Sequence, residues 1–319
     1  MSGERLHVAM CVDEGYALPL AVSLASLDGA SVGTDVTVHI VHPGFSHTAR
    51  ERIASGLSNL RVSWIAIEGD EVAGASYSWF LSRGSLFRLL LGELLPPDVE
   101  RVLYLDADIL VSAPPAALIA QDLQGRTLGA VRDANTPWAA SMMGSPWRRW
   151  GIDPASPYFN SGVLLIDLRR WREHEVGKRS IDLLRDFTPR WGDQDALNAV
   201  LEGDWVELHR RWNLQTPVLT GDSPDWALWR AEVESAVAAP GVVHFTGLDK
   251  PWNHGTEHPM ASQWLQWLDR TAWAGWRADA PQEGRLEAIG RRAVRWYRAR
   301  RDRRVSHNSV VLDLDAAAS

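Results

Sequence analysis

Between Leu6 and Ile166 short apolar, β-branched runs alternate with amphipathic segments of helix length, and few folds accept that rhythm. It is the pattern of a mostly parallel sheet flanked by helices, an α/β nucleotide-type architecture. The runs predict strands over Leu6–Val12, Val36–His42, Val62–Ile67, Arg101–Leu105, Leu128–Arg132 and Gly162–Ile166. Helices fit between them over Leu18–Leu27, Thr48–Gly56 and Ser85–Leu95. The last must stop at Pro96 and Pro97, because a proline has no backbone N–H with which to continue a helix, and the chain is delivered into the run VLYL.

With 319 residues, 45% of them hydrophobic and 23% charged, the chain can bury a full core. The single cysteine, Cys11, excludes an internal disulfide, and nothing near it is spaced as a zinc site, so a reducing, cytoplasmic compartment is expected. The stretch MSGERLHVAMCVDEGY holds an apolar run too short for a signal-peptide core, and no later run reaches the length of a membrane span. Secretion by that route and a transmembrane anchor are therefore not expected.

Charge is unevenly spread. Nine arginines lie between Arg285 and Arg304 against only Glu287 and Asp302, while the whole chain carries −7, so the remainder is strongly acidic. Leu286, Ile289, Ala293, Trp296 and Tyr297 recur every three or four residues among those arginines, which predicts a helix with one apolar and one cationic face. Such a helix is either a solvated cap or a peripheral contact with an anionic membrane at its inner face through residues 285–304. An acidic body offers no broad basic face for nucleic acid, so none is expected as a partner. The organisation read from these patterns is a main domain over 1–258, a helical segment over 259–305 carrying the basic helix, and a frayed tail over 306–319. Trp264, Trp267 and Leu268 stand at helical spacing and are assigned to core packing. Between Ala134 and Pro157 the apolar period fails and Pro, Gly, Met and Trp take over, as in a functional loop.

Four clusters carry chemistry. In VLYLDADILV a buried strand ends abruptly in Asp106 and Asp108, and ligands of open α/β sheets bind at such strand ends. Carboxylates two apart as a chain leaves the sheet can both turn toward one hard cation, with the small Ala107 leaving room; alternatively one caps the next helix and the other closes a turn. In VVHFTGLDKPW, His244, Gly247 and Lys250 follow one another at spacings of three. An imidazole joining two carboxylates makes a mixed nitrogen and oxygen site suited to Mn2+, Gly247 permits close backbone approach, and Lys250 offers a point charge to phosphate; a lone histidine after a strand is otherwise a structural hydrogen-bonding residue. In DQDALNAVL, Asp193, Gln194 and Asp195 open a helix, either complementing its dipole or hydrogen-bonding the hydroxyls of a sugar. In YFNSGVLLIDLRRWRE, Asn160 and Ser161 precede a buried strand, as a turn or as a ligand contact.

The run FRLLLGELLPPDVERVLYLDADILV, then YFNSGVLLIDLRRWRE, DQDALN and HFTGLDKPW occur in one order, and together they resemble the family 8 glycosyltransferases, which include glycogenin and bacterial lipopolysaccharide galactosyltransferases. The resemblance spans residues 6 to 255. It implies a GT-A-type nucleotide-binding fold, a UDP-sugar donor, and Mn2+ or Mg2+ held by Asp106, Asp108 and His244. It also implies transfer of a hexose, glucose or galactose, with retention of configuration, to a hydroxyl of a glycan, lipid-linked or other acceptor. By position Asp13 and Tyr16 correspond to residues that hold and stack on the uracil, Arg88, Asp193 and Gln194 to donor-sugar contacts, and Gly247 and Lys250 to diphosphate contacts. Asp106 contributes to donor as well as metal binding. Asn160 lies near the reaction centre and completes an expected catalytic group with Asp193 and Gln194. Gly15 departs from the pattern, since relatives often carry a polar residue there beside the ribose.

Two rival readings remain open on sequence. An aspartate-nucleophile, Mg2+-dependent phosphohydrolase also places Asp-x-Asp after an apolar strand, but normally at its first strand, whereas three strands precede this one, and His244 would have no role. A non-catalytic binder of sugar nucleotides or glycans would have no need of the three metal ligands. No Gly-x-x-x-x-Gly-Lys-Ser/Thr, Gly-x-Gly-x-x-Gly or Gly-x-Ser-x-Gly motif is present.

Overall fold

The computed structural model describes residues 5–67, 72, 75, 83–141 and 146–280. Its strands are β1 (Leu6–Cys11), β2 (Val36–His42), β3 (Leu60–Ala66), β4 (Arg101–Leu105), β5 (Ile109–Val111), β6 (Leu128–Arg132), β7 (Phe159–Asp167), β8 (Trp205–Glu207), β9 (Leu214–Gln215) and β10 (Val242–His244). Seven of them form the central sheet in the order β3-β2-β1-β4-β7-β6-β8. β1, β2, β3 and β4 run parallel, as does β8 beside β6, and β7 alone runs antiparallel to both neighbours.

Strand faces this apolar must be covered on both sides. On one side the helix Ala17–Ala30 lays Leu20, Leu24 and Leu27 over Val8, Met10, Leu103 and Leu105. On the other, the helices Leu168–Glu173, Val176–Asp186 and Asp193–Val200 bury Trp171, Ile181, Leu184 and Leu197 against Ala9, Val102, Tyr104 and Leu164. Each fully buried leucine of this kind contributes roughly 1.5–3 kcal/mol of transfer free energy.

Several boundaries move for identifiable reasons. β3 begins at Leu60 rather than Val62, because the Asp28 carboxylate accepts hydrogen bonds from the backbone N–H groups of Ser58, Asn59 and Leu60 and fixes where the strand starts. The segment expected as one helix over Ser85–Leu95 is instead a 3-10 helix over Arg83–Leu90 followed by a single α-helical turn, Leu91–Leu94. There Leu86, Phe87, Leu89 and Leu90 are all buried, leaving no solvent face, and the Arg88 guanidinium donates back to the Ser85 carbonyl at 3.0 Å. β7 starts at Phe159, so Asn160 and Ser161 are buried strand residues and not a turn. β8 and β9, of three and two residues, give no periodic signal in the sequence.

A second sheet, β5-β10-β9, positions the site. β5 resumes three residues beyond the end of β4 and pairs antiparallel with β10, opposing Ile109 to His244, while β9 pairs parallel with β10 and sets Gln215 beside His244. The helix Ala261–Leu268 backs this sheet, burying Trp264 and Leu268 among Val22, Leu110, Val243 and Phe245. The chain through Arg277 belongs to one compact unit. Among the described residues no helix is long and apolar enough to cross a membrane. The basic stretch 285–304 and the tail 306–319 lie outside the described residues.

Trp264→Ala should lower unfolding free energy by roughly 3–5 kcal/mol, the usual cost of truncating a fully buried tryptophan. Denaturant unfolding followed by circular dichroism measures it, and a loss below about 1 kcal/mol would show that the helix is not what supports β10.

Candidate active site

At the carboxyl end of β4 the chain passes from the central sheet to β5 of the second, and the three residues between them are Asp106, Ala107 and Asp108. The Asp106 N–H donates to the Gly162 carbonyl at 2.8 Å, which holds the first carboxylate beside β7. Antiparallel pairing of β10 with β5 then brings His244 opposite: its Nε2 is 3.4 Å from Asp108 Oδ1 and 3.7 Å from Asp106 Oδ2. One ligand-type atom from each of the three lies within 4.8 Å of the others, a spacing compatible with a single cation. The space exists because residue 162 is glycine. A Cβ there would come 2.1 Å from His244 Cε1 and 2.8 Å from Asp106 Oδ2.

Each carboxylate has its own support. Asp106 Oδ1 accepts from the Tyr104 hydroxyl at 2.6 Å and pairs with Arg88 Nη2 at 3.0 Å. Arg88, itself buried, also pairs with Asp193 Oδ2 at 3.0 Å, donates to the Ser161 carbonyl at 2.6 Å, and lies over the Tyr104 ring at 4.6 Å. Burial pushes the Asp193 carboxyl up, partly countered by the charge of Arg88. Burial would likewise raise Asp108, but Lys250, whose Nζ is 2.5 Å from Asp108 Oδ2, and the neighbouring His244 hold it well below the usual carboxylate range. The same ammonium donates to the Phe245 carbonyl.

Behind the carboxylates a polar network joins five segments. His244 Nδ1 is 3.0 Å from Asn213 Oδ1, and Asn213 Nδ2 donates to Asn160 Oδ1 at 2.9 Å. Asn160 Nδ2 reaches Asp133 Oδ2 and Gln194 Oε1, each at 3.2 Å. Gln194 Oε1 accepts from the Ser161 N–H at 3.0 Å, and Gln194 Nε2 donates to Asp133 Oδ2 at 3.3 Å.

A cleft of about 750 Å³ opens over this floor. Asp13, Tyr16, Arg88, Asp106, Asp108, Gly247 and Lys250 line it, so seven of the residues expected from sequence share one wall-and-floor arrangement. Gly247 has φ +83°, a left-handed backbone that favours glycine. His244, Asn160, Asp193 and Gln194 are buried and bonded to one another or to lining residues. Trp252, edge-on to Tyr16 with centroids 6.0 Å apart, also lines the cleft and was not singled out by its sequence surroundings. Nor were Tyr104, Asp133, Asn213 and Gly162. Only Gly162 carried a local signal, a glycine inside an otherwise apolar strand.

Asp195, third of the DQD cluster, faces away from this chemistry: it accepts from the Tyr158 hydroxyl at 2.7 Å and the Trp191 N–H at 2.8 Å. Burial pushes its carboxyl up to about 6 from 3.8, with those two donors opposing the shift. Because the folded state holds the proton more tightly than the unfolded state, this group's stabilisation is full below about 3.8 and is lost as pH rises through about 6. Asp195→Asn should therefore flatten the decline of unfolding free energy across that window, read by denaturation at a series of pH values; an unaltered slope would assign the decline elsewhere. Gly162→Ala should displace His244 and Asp106 and weaken divalent-cation affinity by roughly 10- to 100-fold, measured by calorimetry on protein shown to be folded. Wild-type affinity in that variant would mean that the three groups do not act as one site.

The profile described as glycosyl transferase family 8 matches residues 7–256. General stress protein A of Bacillus subtilis (strain 168) is 27% identical over 279 residues, covering 85% of this chain and 95% of that protein. The lipopolysaccharide 1,2-glucosyltransferase of Escherichia coli (strain K12) is 25% identical, covering 89% and 82%. A crystal structure of the galactosyltransferase LgtC in complex with donor and acceptor sugar analogues aligns with a TM-score of 0.71 at 27% identity, covering 88% of this chain and 99% of that one. The seven-stranded sheet with its antiparallel β7 is thus a GT-A-type fold. With the profile spanning most of the chain and the fold shared with a solved galactosyltransferase, the chain belongs to glycosyl transferase family 8 and is an enzyme of the hexosyltransferase type.

Proposed function

We propose that the protein transfers a hexose, glucose or galactose, from a UDP-sugar to a hydroxyl of a glycan or lipid-linked acceptor, with retention of anomeric configuration and dependence on Mn2+. The observation that carries this reading is the convergence of Asp106, Asp108 and His244 on the floor of a cleft whose rim also presents Asp13, Tyr16, Gly247 and Lys250. Two carboxylates and one imidazole fit Mn2+ better than an all-oxygen site would, and their ligand atoms lie within 4.8 Å of one another. A cation bound there would offset negative charge developing on the departing diphosphate.

The chain's own residues divide the remaining work. Tyr16 offers a ring face to the uracil and Asp13 an acceptor for its single N–H. Lys250 is poised to exchange its Asp108 partner for a phosphate oxygen, and Gly247 lets the backbone approach the diphosphate. Arg88 and Asp193 are presented toward the donor sugar as a rigid pair. Bond cleavage leaves oxocarbenium character on the sugar, and front-face attack, with the leaving phosphate taking the acceptor's proton, needs no dedicated base. Two features favour that route over a covalent intermediate. The Gln194 amide is engaged at both ends, and Asp193 is held in its pair with Arg88. The acceptor is assigned to the face near the irregular stretch 134–157, where Trp138 is 36% exposed and packs against Trp229 with Arg132 over its ring at 4.3 Å.

The test is a donor screen for Mn2+-dependent release of UDP, hydrolysis included, against release of phosphate from phosphomonoesters. UDP-glucose or UDP-galactose should be turned over and phosphomonoesters should not. Asp106→Ala, Asp108→Ala and His244→Ala should each lower turnover on the order of 100-fold or more. Mn2+-dependent transfer retained in all three variants would remove the site, and binding of UDP-sugars without turnover would revive a non-catalytic role.

A further inference from the structure

We infer that Asn213 is a positioning residue which fixes the tautomer and aim of His244, so that Nε2 meets Asp106 and Asp108 as a bare lone pair. The inference extends the metal-site reading above and rests on it for its consequence, though not for its geometry.

The argument starts from two backbone N–H groups, which can only donate. The Gly162 N–H points at one side-chain atom of Asn160 at 3.0 Å, so that atom is the amide oxygen. Asn213 approaches the same oxygen at 2.9 Å and must present its NH2 group there. Its remaining atom, Oδ1, is then an acceptor only, and it faces His244 Nδ1 at 3.0 Å. The proton in that hydrogen bond can come only from the imidazole. In its neutral form His244 therefore carries hydrogen on Nδ1 and none on Nε2.

The other end of the network agrees independently. The Ser161 N–H fixes Gln194 Oε1 as an oxygen, and Asn160 Nδ2 donates to it and to the Asp133 carboxylate, which has no hydrogen to offer when ionised. Asp133 is held in turn by the Asn135 and Thr136 N–H groups and the Thr136 hydroxyl. Every amide from Asp133 to His244 thus has one orientation that satisfies all its neighbours. His244, Asn213 and Asn160 are all buried, so solvent does not compete for these bonds.

The consequence is chemical. A bare Nε2 lies 3.4 Å from Asp108 Oδ1 and 3.7 Å from Asp106 Oδ2, three lone-pair donors directed into one space that a cation would occupy. With the proton on Nε2 instead, the imidazole would donate to a carboxylate and be lost as a ligand. Partners of a ligating histidine's second nitrogen commonly set its orientation in this way, and their loss typically costs 10- to 100-fold in metal affinity.

Two measurements test this. In metal-free wild-type protein, at a pH raised until the 15N shifts show a neutral ring, those of His244, identified by its loss in His244→Gln, should show Nδ1 protonated and Nε2 bare. A protonated Nε2 overturns the inference whether or not the site binds metal. Calorimetric titration with Mn2+ alone should then show Asn213→Leu, which matches the shape but accepts no hydrogen bond, weakened by roughly 10- to 100-fold. In metal-free Asn213→Leu the same 15N shifts should show Nε2 carrying the hydrogen in part or all of the molecules. Wild-type affinity in Asn213→Leu, or an unchanged Nδ1-protonated, Nε2-bare ring in that variant, also overturns it. Absence of Mn2+ binding by the wild-type protein would instead remove the metal reading and leave the tautomer to be decided by the 15N shifts.

Discussion

One buried guanidinium ties the site to the fold. Arg88 bonds to Asp106 after β4, to Asp193 at the head of the helix Asp193–Val200, and to the Ser161 carbonyl in β7, while stacking on Tyr104 of β4. Burial by itself would discharge this group; Asp106 and Asp193 hold it firmly charged. Carboxylates withdrawn from water this far are tolerated only when paired and hydrogen-bonded. Arg88 meets that need for two of them, and the 3-10 winding of Arg83–Leu90 is the local backbone that carries it there. A regular amphipathic helix needs a solvent face, and this segment has none to offer.

The charge layout of the cleft follows from the same constraint. Arg88 neutralises Asp106 and Asp193 from below, and Lys250 neutralises Asp108 from the rim. Arg88 is fixed by five partners. Lys250, on a flexible stem, holds Asp108 and the Phe245 carbonyl, with its Nζ 5.8 Å from the Trp252 ring centroid. Of the two cations, only Lys250 can leave its carboxylate without leaving a buried charge bare, provided that another cation takes its position. An arrangement of this kind would suit the proposed metal ion and diphosphate: with Asp108 given over to the ion, the Lys250 ammonium would be free for a phosphate oxygen.

The sequence exposed those features whose cause is local. The Asp106 and Asp108 pair stood out because a strand that must be buried cannot end in two carboxylates without reason, and Gly247 and Lys250 because they follow a strand at even spacing. Five of the six long strands were legible because burial on both faces forces apolar runs, while β3, at the sheet edge and only half-buried, showed through its β-branched and aromatic residues. The remainder has distant causes. β3 starts where Asp28 caps it, β8 and β9 are too short to show a period, and the winding at Arg88 answers to Asp193 and Ser161, far along the chain. Asn213 and Asp133 are ordinary polar residues in polar surroundings; nothing nearby marks them, since their partners Asn160 and Gln194 lie on other elements. Gly162 is the intermediate case, a glycine in a strand whose reason, the imidazole of His244, lies on another sheet.

The reversed direction of β7 explains how residues so far apart meet. Antiparallel pairing with β4 opposes Leu105 to Val163, which sets the start of β7, with Asn160, Ser161 and Gly162, against the end of β4 where the carboxylates emerge. A parallel strand in that position would have presented its far end, Ile166 and Asp167, and carried Asn160, Ser161 and Gly162 to the opposite edge of the sheet. The small sheet repeats the device: β10 runs antiparallel to β5, so His244, its last residue, meets Ile109 at the start of β5, just past Asp108. Two strand reversals thus deliver the ends of three strands to one point. At that point the glycine of one leaves room for the histidine of another, and the apolar helices on both faces are what keep those registers from slipping.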